Sequence, residues 1–275
     1  MPFLFMRETG QQQNTRIALG IEYDGSGYCG WQMQSHGTRT VQHEVEKALS
    51  IVADHPVQVV CAGRTDTGVH ATGQVVHFDT HALRKTRAWV MGVNTHLPDD
   101  VCVHWAKEVD TGFSARFSAT MRSYRYIIQQ RPARPALFSR RVTWIHNELN
   151  IAGMFEAAQA LLGENDFSSF RSSACQSEHA MRFVKSIDVM AEGEFVYIDI
   201  QANAFLHHMV RNIVGSLLKV GTGEKPVNWM AELLALKDRT RAGPTAPAEG
   251  LYLVAVQYPD EYGLPVSGNI PRFGV

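Results

Sequence analysis

Residues 61–78 read CAGRTDTGVHATGQVVHF: the end of one apolar strand, a glycine-rich bend and a second strand. Gly63, Gly68 and Gly73 permit tight or positive-φ turns, Thr65, Thr67 and Thr72 are compact and polar, and a single carboxylate, Asp66, stands among them. The spacing predicts buried strands over Val57–Ala62 and Gln74–Asp79, the second with Val76 and Phe78 on one face. A bend pinned at both ends by such strands can hold one carboxylate in a fixed place. Taken alone, Asp66 could equally shape an Asx-turn or pair with Arg64, and His70 reads as a residue that packs or bonds to backbone.

Working outward, Ile17–Tyr23 reads as a strand followed by the turn-rich DGSGYCGWQ. Thr40 is a predicted N-cap for a helix in which Val41, Val45, Ala48, Leu49 and Val52 recur at helical spacing. A helix near Thr86–Thr95 and a strand over Val101–Val109 follow. The order strand, helix, strand, strand, helix, strand describes a ferredoxin-like unit. The theme then repeats. Tyr124, Tyr126 and Ile128 alternate on a strand; Ile151–Leu162 reads as a helix with Phe155, Ala158 and Leu162 inward and Gly163 as its stop. A hairpin turns at Glu192-Gly193 between Val184–Ala191 and Phe195–Ile200. Helices follow near Phe205–Val220 and Asn228–Leu236, then a last strand over Leu251–Tyr258. The expected fold class is α+β: two ferredoxin-like halves sharing a largely antiparallel central sheet, with helices packed on it and the active cleft between the halves. The split near Val109–Gly112 gives residues 1–111, with the Asp66 loop, and 112–275, with an Arg-rich segment and an arginine-bearing helix.

Composition narrows the classes. Of 275 residues 45% are hydrophobic and 19% charged, which is ordinary globular usage and excludes a disordered or fibrous chain. No apolar run approaches the roughly 20 residues that span a bilayer, so no membrane role is expected. Cys29, Cys61, Cys102 and Cys175 show neither CxxC nor Cys/His ligand spacing. Neither a zinc site nor a disulfide framework is indicated, and reduced thiols in the cytoplasm fit best. The N-terminal MPFLFMRETGQQQNT lacks the pattern of an export signal and reads as a loose tail. The C-terminal stretch from Pro259 reads only as a surface extension.

The net charge of −1 conceals segregation. Between Thr111 and Asn147 there is no Asp or Glu, yet Arg116, Arg122, Arg125, Arg131, Arg134, Arg140 and Arg141 all fall there. Arg84, Lys85 and Arg87 form a second cluster. Such a run can be a solvated face. Arginine interleaved with Phe113, Phe117, Tyr124 and Tyr126 is also the composition that grips phosphates and stacks on bases.

A single rigid carboxylate can act as general base, metal ligand or nucleophile. Metal is disfavoured by the lack of a second acid near Asp66 and of HExxH spacing. On a helix, the adjacent His207 and His208 would point about 100° apart, so they would not both face one ion. No GxSxG or GxxxxGK[ST] occurs, and the GxGxxG spacing of Gly25, Gly27 and Gly30 falls in the turn-rich DGSGYCGWQ with no helix opening from it, so no nucleotide cofactor is indicated. A nucleophilic aspartate needs a cation beside it. Arg211 is the candidate: in FLHHMVRNIVGSLLKVG the apolar stripe is Leu206, Val210, Ile213 and Leu217, and Arg211 points away from it with His207 and Gly215. A solvated surface arginine is the plainer alternative.

Together these pieces resemble the tRNA pseudouridine synthase A family from about Ile17 to Tyr258. The carriers are GRTDTGVHATGQVVHF, YDGSGYCGWQ, MRSYRY, GENDFSSF, HHMVRNIVG and EGLYLVAV. The family commonly has Ala where this chain has Thr67. The resemblance implies isomerisation of uridine to pseudouridine at positions 38, 39 and 40 of the tRNA anticodon stem-loop, without metal or organic cofactor. It implies Asp66 as nucleophile, Arg211 as its partner, Tyr124 stacked on the extruded base, Leu251 packed against that base and Arg64 filling the vacated stack. Arg84, the segment Phe113, Ser114, Ala115, Arg116 and Phe117, and the loop containing Arg171, Ala174, Cys175, Gln176, Ser177 and Glu178 would line a tRNA groove. A homodimer carrying tRNA across both subunits is also implied. Attack at C1′, attack at C6 and a glycal route all suit one carboxylate. The alternatives are a non-catalytic RNA-binding protein, in which Asp66 only shapes a turn, and a hydrolase with Asp66 as general base.

Overall fold

The computed structural model describes residues 14–34, 37–265 and 269–273; most of the predicted N-terminal tail lies outside them. The chain runs β1 (Thr15–Tyr23), α1 (Val41–Ala53), β2 (Val60–Cys61), β3 (His70–Thr80), α2 (Val93–His96) and β4 (Val101–Val109). It continues through β5 (Met121–Gln130), β6 (Thr143–Ile145), α3 (Ile151–Gln159), β7 (Gly163–Asp166), β8 (Met181–Glu192), β9 (Phe195–Ala202), α4 (Met209–Gly221), α5 (Trp229–Leu236) and β10 (Leu251–Gln257). The strands form one sheet in the order β4-β1-β3-β10-β5-β9-β8-β7, with β2 on β3 and β6 on β5. The sets β4-β1-β3-β2 and β10-β5-β9-β8 repeat one strand order, so the doubling expected from element order is present in the pairing. Among the described residues, only β3–β10 and β5–β6 pair in parallel.

The halves meet where Tyr252 and Leu253 of β10 pair with His70 and Ala71 of β3. Gly73 makes this approach feasible, because a Cβ there would lie 2.2 Å from the Val254 carbonyl oxygen. One face of the sheet carries the large core, in which Leu19, Val76, Tyr126, Ile198, Leu253 and Ile213 are fully buried. Burial of such side chains is the main stabilising term. The opposite face carries a smaller cluster of Ile127, Val142, Phe195, Tyr197, Tyr252 and Val254. The C-terminal stretch is more than a surface extension: Phe273 covers this cluster, its N–H donates to the Tyr197 hydroxyl at 2.9 Å, and Arg125 donates to Pro271 O at 3.0 Å.

Several boundaries differ from the sequence reading, each for a local reason. The predicted strand Val57–Ala62 shrinks to two paired residues, because the N–H groups of Val57 and Val59 donate to Ser50 Oγ and Glu46 Oε1 on α1. The second predicted helix opens as a wide π turn over Ala88–Gly92, which seats Trp89 edge-on against Phe78 at 5.2 Å. On α3 the inward residues are Met154, Ala157 and Ala158, whereas Phe155 and Leu162 are exposed. The helix stops earlier than predicted, at Gln159 with Ala160 as its C-cap, and Gly163, at φ +83°, instead opens β7.

Phe113 and Ala115 correct a site expectation. Both are fully buried, so their side chains cannot line a groove. Phe113 packs edge-on to His77 at 5.9 Å, and the Ala115 N–H donates to His77 Nδ1 at 3.0 Å. Burial pushes the His77 imidazole down to about 4 from 6.5. The unfolded chain therefore takes up a proton on acidification before the folded chain does. His77's contribution is full above pH 6.5 and is lost as pH falls toward about 4, at a cost of about 1–3 kcal/mol. Urea unfolding at pH 7 and pH 5 should show a smaller acid loss in His77→Asn, which keeps an acceptor but no titration. An equal loss in both proteins would dismiss His77 as the cause.

Candidate active site

The bend between β2 and β3 is held from several sides. The Gln74 amide clamps Gly63, donating to its carbonyl at 2.7 Å and accepting from its N–H at 3.4 Å. The Thr65 hydroxyl bonds Tyr23 at 2.8 Å, and its carbonyl accepts the Trp31 N–H at 3.0 Å. The Val69 N–H closes a turn on the Asp66 carbonyl at 3.1 Å, through Gly68 at φ +80°. His70 is buried; Nδ1 accepts from the Gly25 N–H and Nε2 lies 3.0 Å from Arg140 O, so it serves the backbone, as expected.

The Asp66 carboxylate faces the start of α4, 145 residues further along the chain. Arg211 Nη1 donates to Asp66 Oδ2 at 3.0 Å, while its Nε donates to Ala246 O at 2.8 Å. Arg211 thus pairs with the aspartate and is not a surface arginine. The remainder of the cluster escaped the sequence reading. His207 Nε2 lies 3.3 Å from Oδ1 and His208 Nε2 lies 3.3 Å from Oδ2. Neither histidine is on the helix that the spacing predicts for them: α4 begins only at Met209, and His208 sits just before it at φ +62°. The 100° helical rotation does not apply there, and both rings converge on one carboxylate. The signal available was the HH pair three and four residues before Arg211.

Tyr124, on β5, is buried, with its ring edge-on to Phe205 at 5.0 Å. Burial, and then the Asp66 charge, raise its hydroxyl above the ordinary phenol range, so it remains a phenol at neutral pH. Leu251 is also buried and sits on the same sheet face, since β10 pairs it with Tyr126 and pairs Leu253 with Tyr124.

The outer residues fall into different settings. Arg64 is exposed, two residues before Asp66. Arg116 is exposed and stands over the ring of Phe117, which is 80% exposed, at 5.2 Å. Ser114 shapes their turn, its Oγ accepting from the Phe117 N–H. Arg84 is exposed but donates to Val52 O and Leu83 O. Arg171 is turned into its own loop, donating to Cys175 O and Ser177 O. That loop docks on His207, whose N–H donates to Cys175 Sγ at 3.5 Å and whose carbonyl accepts the Ser172 N–H. Ala174, Gln176 and Glu178 are exposed on it. Nor is the basic run one patch: Arg122 donates to four backbone carbonyls, and Arg125 is buried against Asp199 at 2.6 Å.

Among the described residues, two sets of donors could approach a metal ion: Asp66 with His207 and His208, and Glu22 with Cys102 and His104, each with its ligating atoms within 4.8 Å of one another. The Arg211 guanidinium already supplies positive charge at the first set and opposes a second cation there.

A carboxylate held by a guanidinium, with a buried phenol beside it, can act as a nucleophile or base without any further group. The family model described as tRNA pseudouridine synthase matches residues 20–118 and 157–259, well over half of the chain. The chain belongs to the tRNA pseudouridine synthase family. Similar relatives are named tRNA pseudouridine synthase A. The one from Klebsiella pneumoniae subsp. pneumoniae is 59% identical, covering 98% of this chain and 99% of that one. Those from Hydrogenovibrio crunogenus and Shewanella baltica are 57% and 58% identical, covering 91% and 94% of this chain and 95% and 98% of theirs. A solved Cbf5-Nop10-Gar1 complex shares 14% identity at a TM-score of 0.35, covering 88% of this chain and 50% of that one, too distant to inform the site. As a tRNA pseudouridine synthase the protein is an isomerase, converting uridine to pseudouridine. No helix among the described residues is long and apolar enough to cross a membrane.

Proposed function

We propose that this synthase acts on uridines 38, 39 and 40 of the tRNA anticodon stem-loop, with Asp66 as the nucleophile. The carrying observation is the 3.0 Å pair between Asp66 and Arg211, set on a bend with little freedom to move. In the reaction the N1–C1′ bond breaks and a C5–C1′ bond forms. C5 loses a proton and N1 takes one, so the balance needs no oxidant, energy source or cofactor. Attack at C1′, attack at C6 and the glycal route each use the same carboxylate. Tyr124 stacks on the extruded base beside Leu251, and Arg64 fills the gap left in the helix, at an unstacking cost of a few kcal/mol. The protein works as a homodimer in the cytoplasm, dividing at 111/112 into halves of like strand order. Support for the compartment comes from Cys29, Cys61, Cys102 and Cys175, all free thiols.

The test is tritium release from 5-labelled uridine in an unmodified tRNA transcript. Release with no free uracil is expected. Free uracil would indicate a hydrolase, and an absence of release would leave RNA binding without chemistry, which membership of the family disfavours. The groove reading has its own test. Arg116→Glu should weaken tRNA association and make its salt dependence shallower, by about one in slope. An unaltered slope would remove Arg116 from the groove.

A further inference from the structure

The two oxygens of Asp66 are not equivalent. The nearest approach of Arg211 Nη1, at 3.0 Å, and of His208 Nε2, at 3.3 Å, is to Oδ2, whereas that of His207 Nε2, at 3.3 Å, is to Oδ1. The holders of Oδ2 are the better sheltered, with side-chain exposures of 15% for Arg211 and 28% for His208 against 38% for His207. Arg211 is anchored at its far side by Ala246 O. His208 has a left-handed backbone, uncommon for any residue but glycine, and its side chain makes no capping bond to α4. Its carbonyl still accepts the Asn212 N–H at 2.9 Å, so the helix begins normally while the imidazole is directed to the carboxylate. The His207 ring lies 4.0 Å from that of His208.

We propose that His208 is a positioning residue: with Arg211 it fixes Oδ2 of Asp66, so that Oδ1, faced by the more exposed His207, is the oxygen that reaches the nucleotide. This rests on the reading of Asp66 as nucleophile and adds which oxygen bonds and what holds the other. In the C1′ route the Oδ1–C1′ bond forms as N1–C1′ breaks, the electron pair leaving on uracil N1; C5 then displaces Oδ1. His207 must give up its contact for this, whereas His208 keeps its own throughout. A neutral imidazole suits this task, because it sets a polar ring nitrogen 3.3 Å from the oxygen without adding a second full charge beside a guanidinium. Burial lowers the His208 pKa, against the pull of Asp66, and His207, Arg211 and Arg239 lower it further. These are the groups that face it, and acidification below its titration would place a second cation on Oδ2.

Single-turnover rates with unmodified tRNA transcript, measured beside tRNA affinity, test this. His208→Ala should lower the rate by about 10- to 100-fold, as a misplaced reacting group does, and leave tRNA affinity within about twofold. His208→Gln keeps a neutral donor; it should recover most of that rate and shift the acid limb of the pH profile to lower pH. His207→Ala should cost less than His208→Ala. The proposal is overturned if His208→Ala retains the wild-type rate, if Gln fails to rescue with the acid limb unmoved, or if His207→Ala is the more damaging. Asp66→Asn in the same assay separates the two layers. An active Asp66→Asn ends the nucleophile reading, whereas an inactive one beside a fully active His208→Ala ends only this inference.

Discussion

Asp66→Asn should lower the single-turnover rate of pseudouridine formation by at least about 1,000-fold while tRNA remains bound. The substitution is nearly isosteric. The main-chain anchors of the bend, from Gln74 to Gly63 and from Trp31 to Thr65, do not involve the replaced atoms, so the loop should keep its shape. What disappears is the anionic oxygen, and an amide cannot form the covalent or proton-accepting state that the chemistry needs. Affinity should hold or rise slightly, since removing a negative charge from a surface that meets a polyanion lowers repulsion. Tritium release at the wild-type rate from an Asp66→Asn preparation would end the assignment.

The second large effect is expected at Arg211. Its guanidinium bridges two parts of the chain, Asp66 Oδ2 and Ala246 O, and this fork is what orients the carboxylate. Arg211→Met should reduce the rate by about 100-fold, equivalent to about 2.7 kcal/mol of barrier. Arg211→Lys keeps the charge without the fork and should fall between, at about 10-fold. Because Gly215, one turn later on α4, lies directly against the Pro244 carbonyl, the 243–246 segment should keep its seat in both variants, and thermal unfolding checks this. A Met variant as fast as the wild type would show that the pair is structural only.

Much of this was legible in the sequence. The repeated order of strands and helices identified both halves, and helical spacing marked α1 and the buried stripe of α4, because those patterns report burial directly. Asp66 and Arg211 could be named as candidates, but their pairing could not be derived from spacing, since 145 residues separate them. His207 and His208 were lost to an assumption about where α4 starts. One left-handed residue changes the direction of both rings, and no periodicity signals it. Phe113 and Ala115 failed for the opposite reason: neighbours in sequence to exposed Arg116 and Phe117, they turn inward to meet His77. The Arg-rich run likewise mixed exposed cations with Arg125, which is buried opposite Asp199.

The parallel seam between β3 and β10 has a consequence for how the enzyme comes into being on the ribosome. The aspartate bend is translated well before the strand that lies alongside it, Leu251–Gln257. Until then the growing polypeptide carries an open β3 edge and an incomplete second half. Closing so distant a contact is intrinsically slow and leaves that edge prone to wrong partners. Nascent chains stalled before Leu251 should therefore depend most on chaperones, and no uridine can be turned over until Leu251–Gln257 has emerged.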